Sequence, residues 1–152
     1  KTKELGIICK CIRCREIKND IIESPKLIVR EYEASKGKEF FISFEEKDKI
    51  IGFCRLRFPS QFLRQEITKD SALIRELHVY SPALSIGKRG TSAQHKGFGK
   101  QLLEKAEEIA KLHNKNKIVV ISGVGVRDYY KKFNYSLEGP YMVKTLDVHN
   151  TF

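Results

Sequence analysis

The segment Gln94-His95-Lys96-Gly97-Phe98-Gly99, which continues into Lys100-Gln101-Leu102-Leu103-Glu104-Lys105-Ala106, is the most informative part of this chain. It has the form Gln-x-x-Gly-x-Gly and opens an amphipathic helix directly after a loop. Two glycines let the backbone approach a ligand closely, and the first N–H groups of a helix have no partners within it. The helix dipole adds positive potential there, so the segment predicts a pyrophosphate-binding site. The alternative is a glycine-rich turn that caps an ordinary helix.

Length and composition indicate one globular domain. The chain has 152 residues, of which 41% are hydrophobic, enough to bury a core. We expect no membrane span, because no apolar run reaches about 18 residues. No secretory signal opens the sequence, and its polar start resembles a cut inside a longer protein, so we expect a cytoplasmic protein.

The charge is strongly basic. Twenty-nine Lys and Arg residues face 19 Asp and Glu residues, which gives +10. Such a charge attracts phosphate-rich partners, either nucleic acid or a polyanionic cofactor. The alternative is a lysine-rich surface that serves only solubility.

Three of the four cysteines form the pattern Cys9-x-Cys11-x-x-Cys14, and the fourth, Cys54, lies in an apolar segment. These spacings suit thiolates that converge on one soft cation, and four thiolates complete a structural zinc site. Disulfides fit less well, because cytosolic thiols stay reduced. An iron–sulfur cluster is the main alternative for the triplet, and a buried core cysteine is the alternative for Cys54.

Hydrophobic patterning predicts an α+β domain with a mixed sheet. Runs of β-branched and aromatic residues, separated by short polar turns, predict strands at 26–33, 39–45, 50–58, 72–80 and 117–121. We expect helices at 97–114 and 126–133, followed by a strand pair or an extended segment around Gly139-Pro140. The apolar stripe of the first helix comprises Leu102, Leu103, Ala106, Ile109, Ala110 and Leu112.

The order strand, Gln-x-x-Gly-x-Gly, helix, strand, helix resembles the acetyl-CoA-binding half of GNAT acetyltransferases. The segment Tyr129-Tyr130-Lys131-Lys132-Phe133-Asn134-Tyr135 resembles the Phe-Tyr-x-x-Leu-Gly-Phe ending of their second helix. Asn134 stands where glycine is usual, and asparagine also accepts the left-handed conformation.

The resemblance is closer to one family, the catalytic subunit of Elongator, and it covers nearly the whole chain. Arg75-Glu76-Leu77-His78-Val79-Tyr80, Ile121-Ser122-Gly123-Val124-Gly125 and Glu138-Gly139-Pro140-Tyr141-Met142-Val143-Lys144 carry it, together with the glycine segment. The segment Cys9-Lys10-Cys11-Ile12-Arg13-Cys14 resembles the one that joins that family's two domains.

This resemblance implies a cysteine-rich zinc-binding linker at 1–24 and a GNAT acetyl-CoA domain at 25–152. It implies cleavage of acetyl-CoA, with the acetyl group serving carboxymethylation of the tRNA wobble uridine. The partners would be tRNA, Elongator subunits and an N-terminal radical-SAM domain of the same protein. The iron–sulfur cluster and S-adenosylmethionine would belong to that missing domain.

The resemblance also implies roles for single residues. The backbone of Glu76, Leu77, His78 and Val79 would pair with the pantetheine arm. Tyr130 would protonate the departing sulfur, with its neighbour Tyr129 as the less favoured candidate. Glu76 and His78 are competing general bases, although a strand histidine is more often a packed core residue. The pyrophosphate would be held around Gln94, Gly97, Phe98, Gly99 and Lys100.

One departure from general GNAT architecture concerns the acceptor side. A short turn at 35–38 replaces the usual pair of helices between the first two strands. The acceptor side should therefore be open, which suits a large substrate such as folded RNA. Two other functions stay open: protein lysine acetylation, and a non-catalytic RNA-binding module with a vestigial coenzyme A site.

Overall fold

A computed structural model describes residues 9–18, 22–80 and 97–148. In chain order the elements are α1 (Ile12–Arg15), β1 (Lys26–Ala34), β2 (Gly37–Glu46), β3 (Lys49–Phe58), β4 (Ser71–Val79), α2 (Phe98–Leu112), β5 (Lys117–Val120), a 3₁₀ turn (Val124–Val126), α3 (Arg127–Lys131), β6 (Ser136–Glu138) and β7 (Tyr141–Thr145). The predicted strands and helices are all present, with ends that differ by a few residues.

The seven strands form one sheet in the order β1-β2-β3-β4-β5-β7-β6. Strands β4 and β5 are parallel, and every other neighbouring pair is antiparallel. Helix α2 supplies the crossover that a parallel pair requires. The predicted mixed, mostly antiparallel sheet is therefore confirmed.

Two tight hairpins build the first half of the sheet. Ser35 and Lys36 connect β1 to β2 with φ angles of 49° and 61°, and Lys47 and Asp48 connect β2 to β3 with 49° and 64°. Positive φ at both central residues is the type I′ geometry, whose twist matches that of the strands. No helix separates β1 from β2, as the short turn predicted.

Helices α2 and α3 pack on one face of the sheet, which we call the helix face. The main core lies there and joins Ile42, Leu56 and Ile74 of the sheet to Leu102 and Ala106 of α2. The stripe predicted for α2 is buried except for Leu112, which is 72% exposed. Leu112 is the last residue of the helix, so the prediction that it packs on the core is wrong.

The opposite face of β1 to β4, which we call the open face, follows from the strand register. Its members across the strands are Arg30, Tyr32, Glu39, Phe41, Ser43, Glu45, Phe53, Arg55, Arg57, Glu76 and His78. Two small apolar clusters border this face, one around Phe41, Ile50 and Phe53 and one around Leu73, Val119 and Val143. No helix as large as α2 covers it in the part of the chain that the structure describes.

The segment before β1 crosses the edge of the sheet. Ile12 of α1 contacts the cluster around Phe41, whereas Ile17 and Ile22 enter the main core. A bridge between Glu16 and Ile50 fixes the segment beside β3. Among the described residues, no helix is both long and apolar enough to cross a membrane.

Candidate functional site

Strands β4 and β5 diverge halfway along β4. Their pairing covers only Ser71–Ile74 and Lys117–Val120, and the last contact is the Ile121 N–H donating to the Ile74 carbonyl at 3.1 Å. Beyond that point, 75–79 has β3 on one side and no described strand on the other. Backbone groups along such an edge can pair with an extended ligand.

A β-bulge accompanies the divergence. Arg55 of β3 pairs with Glu76, but the next residue, Leu56, pairs with Ile74, so Arg75 is the extra residue of β4. A bulge bends its strand and increases the local twist. It therefore turns the end of β4 away from β5 and opens the free edge.

The N-terminus of α2 lies beside this edge. Gly97 precedes the helix, and no side-chain hydrogen bond caps it. A β-carbon built on Gly99 would lie 3.6 Å from Cγ2 of Val79. The predicted ligand-binding residues of β4 and of the glycine segment are thus brought together. Gln94 and the two residues after it lie outside the described residues.

Two predicted residues of the glycine segment differ in their surroundings. Phe98 is buried, and its ring packs on Phe44 at 4.8 Å between centroids, so its side chain belongs to the core. Lys100 is exposed, with Nζ 3.7 Å from the carboxylate of Glu104. Any phosphate contact by Phe98 must come from its backbone.

Tyr129 lies against the first turn of α2, at Gly99. Its hydroxyl lies so near Gly99 that a β-carbon there would overlap with it. Only glycine at this position gives the tyrosine room, which is a reason for the second glycine of the motif. The half-buried Tyr129 has a raised pKa because of burial.

Tyr130 points into the core instead. It is 5% exposed, and its ring meets Tyr129 at 5.4 Å and Tyr135 at 5.7 Å, both edge to face. Burial first, and then the neighbouring Cys54 and Tyr129, raise the pKa of Tyr130 well above its ordinary value. The phenol therefore stays protonated at neutral pH, as an acid must before it donates.

A polar group behind Tyr130 was not predicted from the sequence. The Tyr135 hydroxyl donates to Glu107 at 2.9 Å, and Lys144 Nζ lies 3.0 Å from the same carboxylate. These residues come from α2, β7 and the turn after α3, so no local spacing links them. These hydrogen bonds connect the turn after α3 and strand β7 to helix α2.

The two candidate bases on β4 are both on the open face. Glu76 lies 3.6 Å from Nε of Arg55. His78 is exposed, with its ring 4.5 Å from that of Tyr80. The expectation that His78 packs in the core is wrong, because odd-numbered Leu77 and Val79 take the helix face and even-numbered His78 takes the other.

Two buried carboxylates on the open face were also missed. Glu39 is bound by Arg57 at 3.0 Å and by Arg75 at 2.9 Å. Burial opposes the ionisation of Glu39, yet hydrogen bonds from Tyr32, Arg75 and Arg57 lower its pKa. Sequence alone gives no signal for this group, because its members come from four strands.

Glu45 occupies a similar position at the other end of β2. It accepts hydrogen bonds from Arg15 at 2.5 Å, Arg30 at 2.5 Å and Ser43 at 2.7 Å. Burial opposes its ionisation, but those hydrogen bonds outweigh it and lower the pKa of Glu45 to about 2. Arg15 directly follows Cys14, so Glu45 also anchors the cysteine segment.

The three N-terminal cysteines form a candidate metal-binding group. The Sγ atoms of Cys9, Cys11 and Cys14 lie within 4.8 Å of one another, and all three residues are exposed. Hydrogen bonds from the Cys14 backbone and from the thiols of Cys9 and Cys14 lower the pKa of Cys11 to about 7. Zn–S bonds of about 2.3 Å place tetrahedral thiolates roughly 3.8 Å apart, which this group can meet.

Cys54 does not belong to that group, so its prediction as the fourth ligand is corrected. It is 0% exposed in the main core on the helix face, whereas Ile12 of α1 contacts the open face. Burial raises the pKa of the Cys54 thiol to about 12, which keeps it neutral. The alternative of a buried core cysteine is the one that the structure supports.

Comparison with known proteins agrees with this arrangement. The chain is 47% identical over 93% of its length to the tRNA uridine(34) acetyltransferase of Methanocaldococcus jannaschii, and 44% identical over 97% to bovine Elongator complex protein 3. It spans 29% of the length of each. The solved structure of archaeal Methanocaldococcus infernus Elp3 with an N-terminal deletion superimposes with a TM-score of 0.84 at 41% identity, covering 95% of this chain and 37% of that one.

The family profile described as Acetyltransferase (GNAT) family matches residues 12–135. That range contains the diverging strands, the glycine segment and both tyrosines. The match includes most of the chain and agrees with the sheet order and the position of α2. The chain therefore belongs to the GNAT acetyltransferase family.

Proposed function

We propose that this chain is the acetyl-CoA domain of an Elongator-type tRNA-modifying enzyme. It cleaves acetyl-CoA and supplies the acetyl group for carboxymethylation of the wobble uridine. The relatives named tRNA uridine(34) acetyltransferase and Elongator complex protein 3 support the substrate class. The observation that carries acetyl-CoA binding is the free edge of β4 beside the N-terminus of α2, where Gly99 approaches Val79.

The two ends of the cofactor have different binding groups in this proposal. The backbone of Glu76, Leu77, His78 and Val79 pairs with the pantetheine arm as an added strand would. The backbone of Gly97–Lys100 binds the pyrophosphate, since the N-terminus of a helix presents N–H groups and positive potential to an anion. Gln94, which the resemblance assigns to the same site, completes this set of candidates.

Tyr130 is the proposed acid. Thioester cleavage breaks the carbon–sulfur bond as water bonds to the carbonyl carbon, which yields the carboxyl group of the carboxymethyl product. The departing sulfur takes the electron pair and a proton. Tyr130 is protonated at neutral pH and can donate to the sulfur, while burial raises the pKa of its phenol and makes it a weaker acid than an exposed tyrosine. Tyr129 is the second candidate, because its hydroxyl lies against Gly99.

Zinc is the proposed occupant of the thiol group at Cys9, Cys11 and Cys14. Three soft thiolates suit this ion, and the bound metal would fix a segment that is otherwise short and exposed. The segment 1–24 is thus proposed as a linker next to the acetyl-CoA domain at 25–152. Because the relatives are longer than this chain, we propose that an N-terminal radical-SAM domain with an iron–sulfur cluster and S-adenosylmethionine belongs to the same protein. We also propose that the protein acts in the cytoplasm with Elongator subunits.

The test measures coenzyme A released from acetyl-CoA by the purified chain, with tRNA, without tRNA and with a lysine-containing peptide. A parallel calorimetric titration measures acetyl-CoA binding. We expect binding under all conditions and release that rises when tRNA is added. The same assay is repeated with the chain joined to the remainder of a full-length relative.

Other outcomes identify the alternative functions. Release that ignores tRNA but rises with the peptide would indicate protein lysine acetylation. RNA binding without any acetyl-CoA binding, also in the longer protein, would indicate a non-catalytic module. Either result contradicts the proposal.

A further inference from the structure

We infer that the open face of the sheet is the RNA-binding surface of this chain and that it takes an unpaired RNA segment. Exposed arginines would bind phosphates, and Tyr32 and His78 would stack on bases. This inference rests on the proposed function, which makes RNA the partner. It adds where the RNA lies and which side chains bind it.

The open face has a buried centre at Glu39, Ser43 and Phe53, and its exposed side chains lie on the outer strands β1 and β4. The two-residue turn between β1 and β2 leaves no helix there. Ile12 covers only the cluster around Phe41, and Ile67 only the cluster around Leu73. Beside these clusters, Arg30 and Tyr32 of β1 and Arg75, Glu76 and His78 of β4 are exposed.

The exposed side chains of the open face carry a mainly positive charge. The side chains of Arg30, Arg55 and Arg75 are 46%, 34% and 50% exposed. Glu45 and Glu39, which pair with Arg30 and Arg75, are only 7% and 5% exposed, whereas Glu76 beside Arg55 is 50% exposed. Three exposed arginines thus stand against one exposed carboxylate. The outward charge of this face is therefore mainly positive, which complements a phosphate backbone.

Hydrogen bonds to buried carboxylates fix the orientation of two of these arginines. Arg75 uses Nη1 on Glu39, and Arg30 uses both terminal nitrogens on Glu45. A guanidinium carries five N–H donors, so each retains others for a phosphate while its orientation is fixed. Nε of Arg55 is buried without a hydrogen-bond partner in the described structure, and Glu76 lies beyond hydrogen-bond distance at 3.6 Å.

Two exposed aromatic rings, those of Tyr32 and His78, also lie on the open face. Tyr32 is 39% exposed, and the exposed ring of His78 lies on the free edge of β4. Aromatic faces next to arginines bind unpaired bases, which stack without strict sequence preference. Paired bases cannot stack in this way, so the surface favours a loop or single strand over a duplex.

The experiment compares variants of equal charge change. Arg30→Gln with Arg75→Gln removes two cations from the open face, while Glu39 keeps Arg57 and Glu45 keeps Arg15. The control, Lys105→Gln with Lys111→Gln, removes two from α2 on the other face. Affinity for a fluorescent stem–loop RNA is measured by anisotropy across a salt series.

We expect the open-face variant to bind about tenfold or more weakly and its salt slope to fall by about two. The control should change less than about twofold. Tyr32→Ala should weaken binding of the stem–loop by roughly tenfold with an unchanged salt slope, and leave binding of a duplex unaltered. Acetyl-CoA binding by calorimetry should be the same in all variants.

Several results would overturn the inference. Equal losses in both charge variants would mean that RNA responds only to net charge. Retained RNA affinity in the open-face variant, with a change of sedimentation coefficient, would show that the face contacts a second copy. In either case, retained acetyl-CoA binding and tRNA-stimulated release would leave the proposed function standing.

Discussion

At the scale of single residues, Tyr129 and Tyr130 adopt distinct surroundings although they are adjacent in sequence. Tyr129 reaches the α2 terminus at Gly99, whereas Tyr130 is buried against Tyr135. Residues one apart on a helix point in different directions. One tyrosine is therefore placed at the proposed phosphate-binding end and the other in the core beside the diverging strands.

Replacing Tyr130 by Phe tests the acid. We expect release of coenzyme A to fall by about 100-fold, in the range that general acids contribute, while acetyl-CoA affinity stays within about twofold. Stopped-flow release and calorimetry provide the two measurements. Tyr129→Phe is the matched control and should lose less than about tenfold in release. The opposite ranking of the two variants would transfer the acid role to Tyr129.

Glu45 makes a pH-dependent contribution to stability. Its pKa is lowered from 4.5 to about 2, because the hydrogen bonds from Arg30, Ser43 and Arg15 outweigh burial. The stabilisation is present above the unfolded value near 4.5 and is lost as the pH falls toward 2.

The Glu45→Gln variant should therefore lose roughly 2–3 kcal/mol of unfolding free energy at pH 7 and lose little at pH 2. Urea unfolding across this pH range is the measurement. Glu104→Gln, whose exposed carboxylate lies 3.7 Å from Lys100, is the control and should change little. A loss for Glu45→Gln that is the same at both pH values would contradict the ion-pair explanation.

At the scale of elements, the proposed site depends on where α2 begins relative to β4. The pairing of β4 with β5 ends at Ile74, and Gly99 in the first turn of α2 approaches Val79. The divergence provides the free backbone edge, and the helix provides the positive potential of its N-terminus. Neither element alone would bind both parts of the cofactor.

Gly99→Ala tests this close approach. The added methyl group would overlap with the Tyr129 hydroxyl, so the tyrosine or the helix must shift. We expect acetyl-CoA affinity to fall by about tenfold, whereas helix propensity favours alanine by about 0.5–1 kcal/mol and should keep the protein folded. Isothermal titration gives the affinity.

The same substitution in Tyr129→Phe protein tests whether overlap with the Tyr129 hydroxyl causes the loss of affinity. In Tyr129→Phe protein the overlapping oxygen is gone, so Gly99→Ala should then weaken binding less than about threefold. Gly125→Ala is the matched glycine control, because open space surrounds a β-carbon built there. An equally large loss in the Tyr129→Phe background would refute the overlap as the cause.

At the scale of the whole molecule, the two faces of the sheet separate the cysteines. Cys54 faces α2 and α3, while the α1 segment with Cys11 and Cys14 packs at the edge near Ile50. The strand alternation that buries Cys54 directs its thiol away from α1. A metal held by the N-terminal thiols must therefore find its other ligand elsewhere.

Metal analysis of purified variants tests this separation. We expect Cys11→Ser or Cys14→Ser to lower the zinc content from about one ion per chain to a small fraction of that. Cys54→Ala should keep the metal and lose only about 1–2 kcal/mol of stability through a small cavity. Loss of zinc in Cys54→Ala protein that remains folded by circular dichroism would restore Cys54 as a ligand.

Much of the fold was predictable because its signals are local. The runs of β-branched and aromatic residues in β1 to β3, the turn residues at 35–36 and the apolar stripe of α2 are each contained in one short segment. The same holds for the glycine segment, since helix termini and glycines act over a few residues. His78 and Leu112 were misjudged, because burial depends on which face and which end the tertiary fold covers.

The sequence by itself determined the order of the elements, the position of the helix terminus that we propose binds phosphate, and the adjacent tyrosines 129 and 130, because short-range sterics and hydrophobic periodicity specify them. Only the tertiary structure decided the divergence of β4 from β5, the exclusion of Cys54 from the thiol group and the arginine pairs on Glu39 and Glu45. These depend on strand register and on the choice of sheet face. A shift of one residue in strand pairing moves every side chain of that strand to the opposite face of the sheet. No single segment of the sequence therefore specifies which side chains meet.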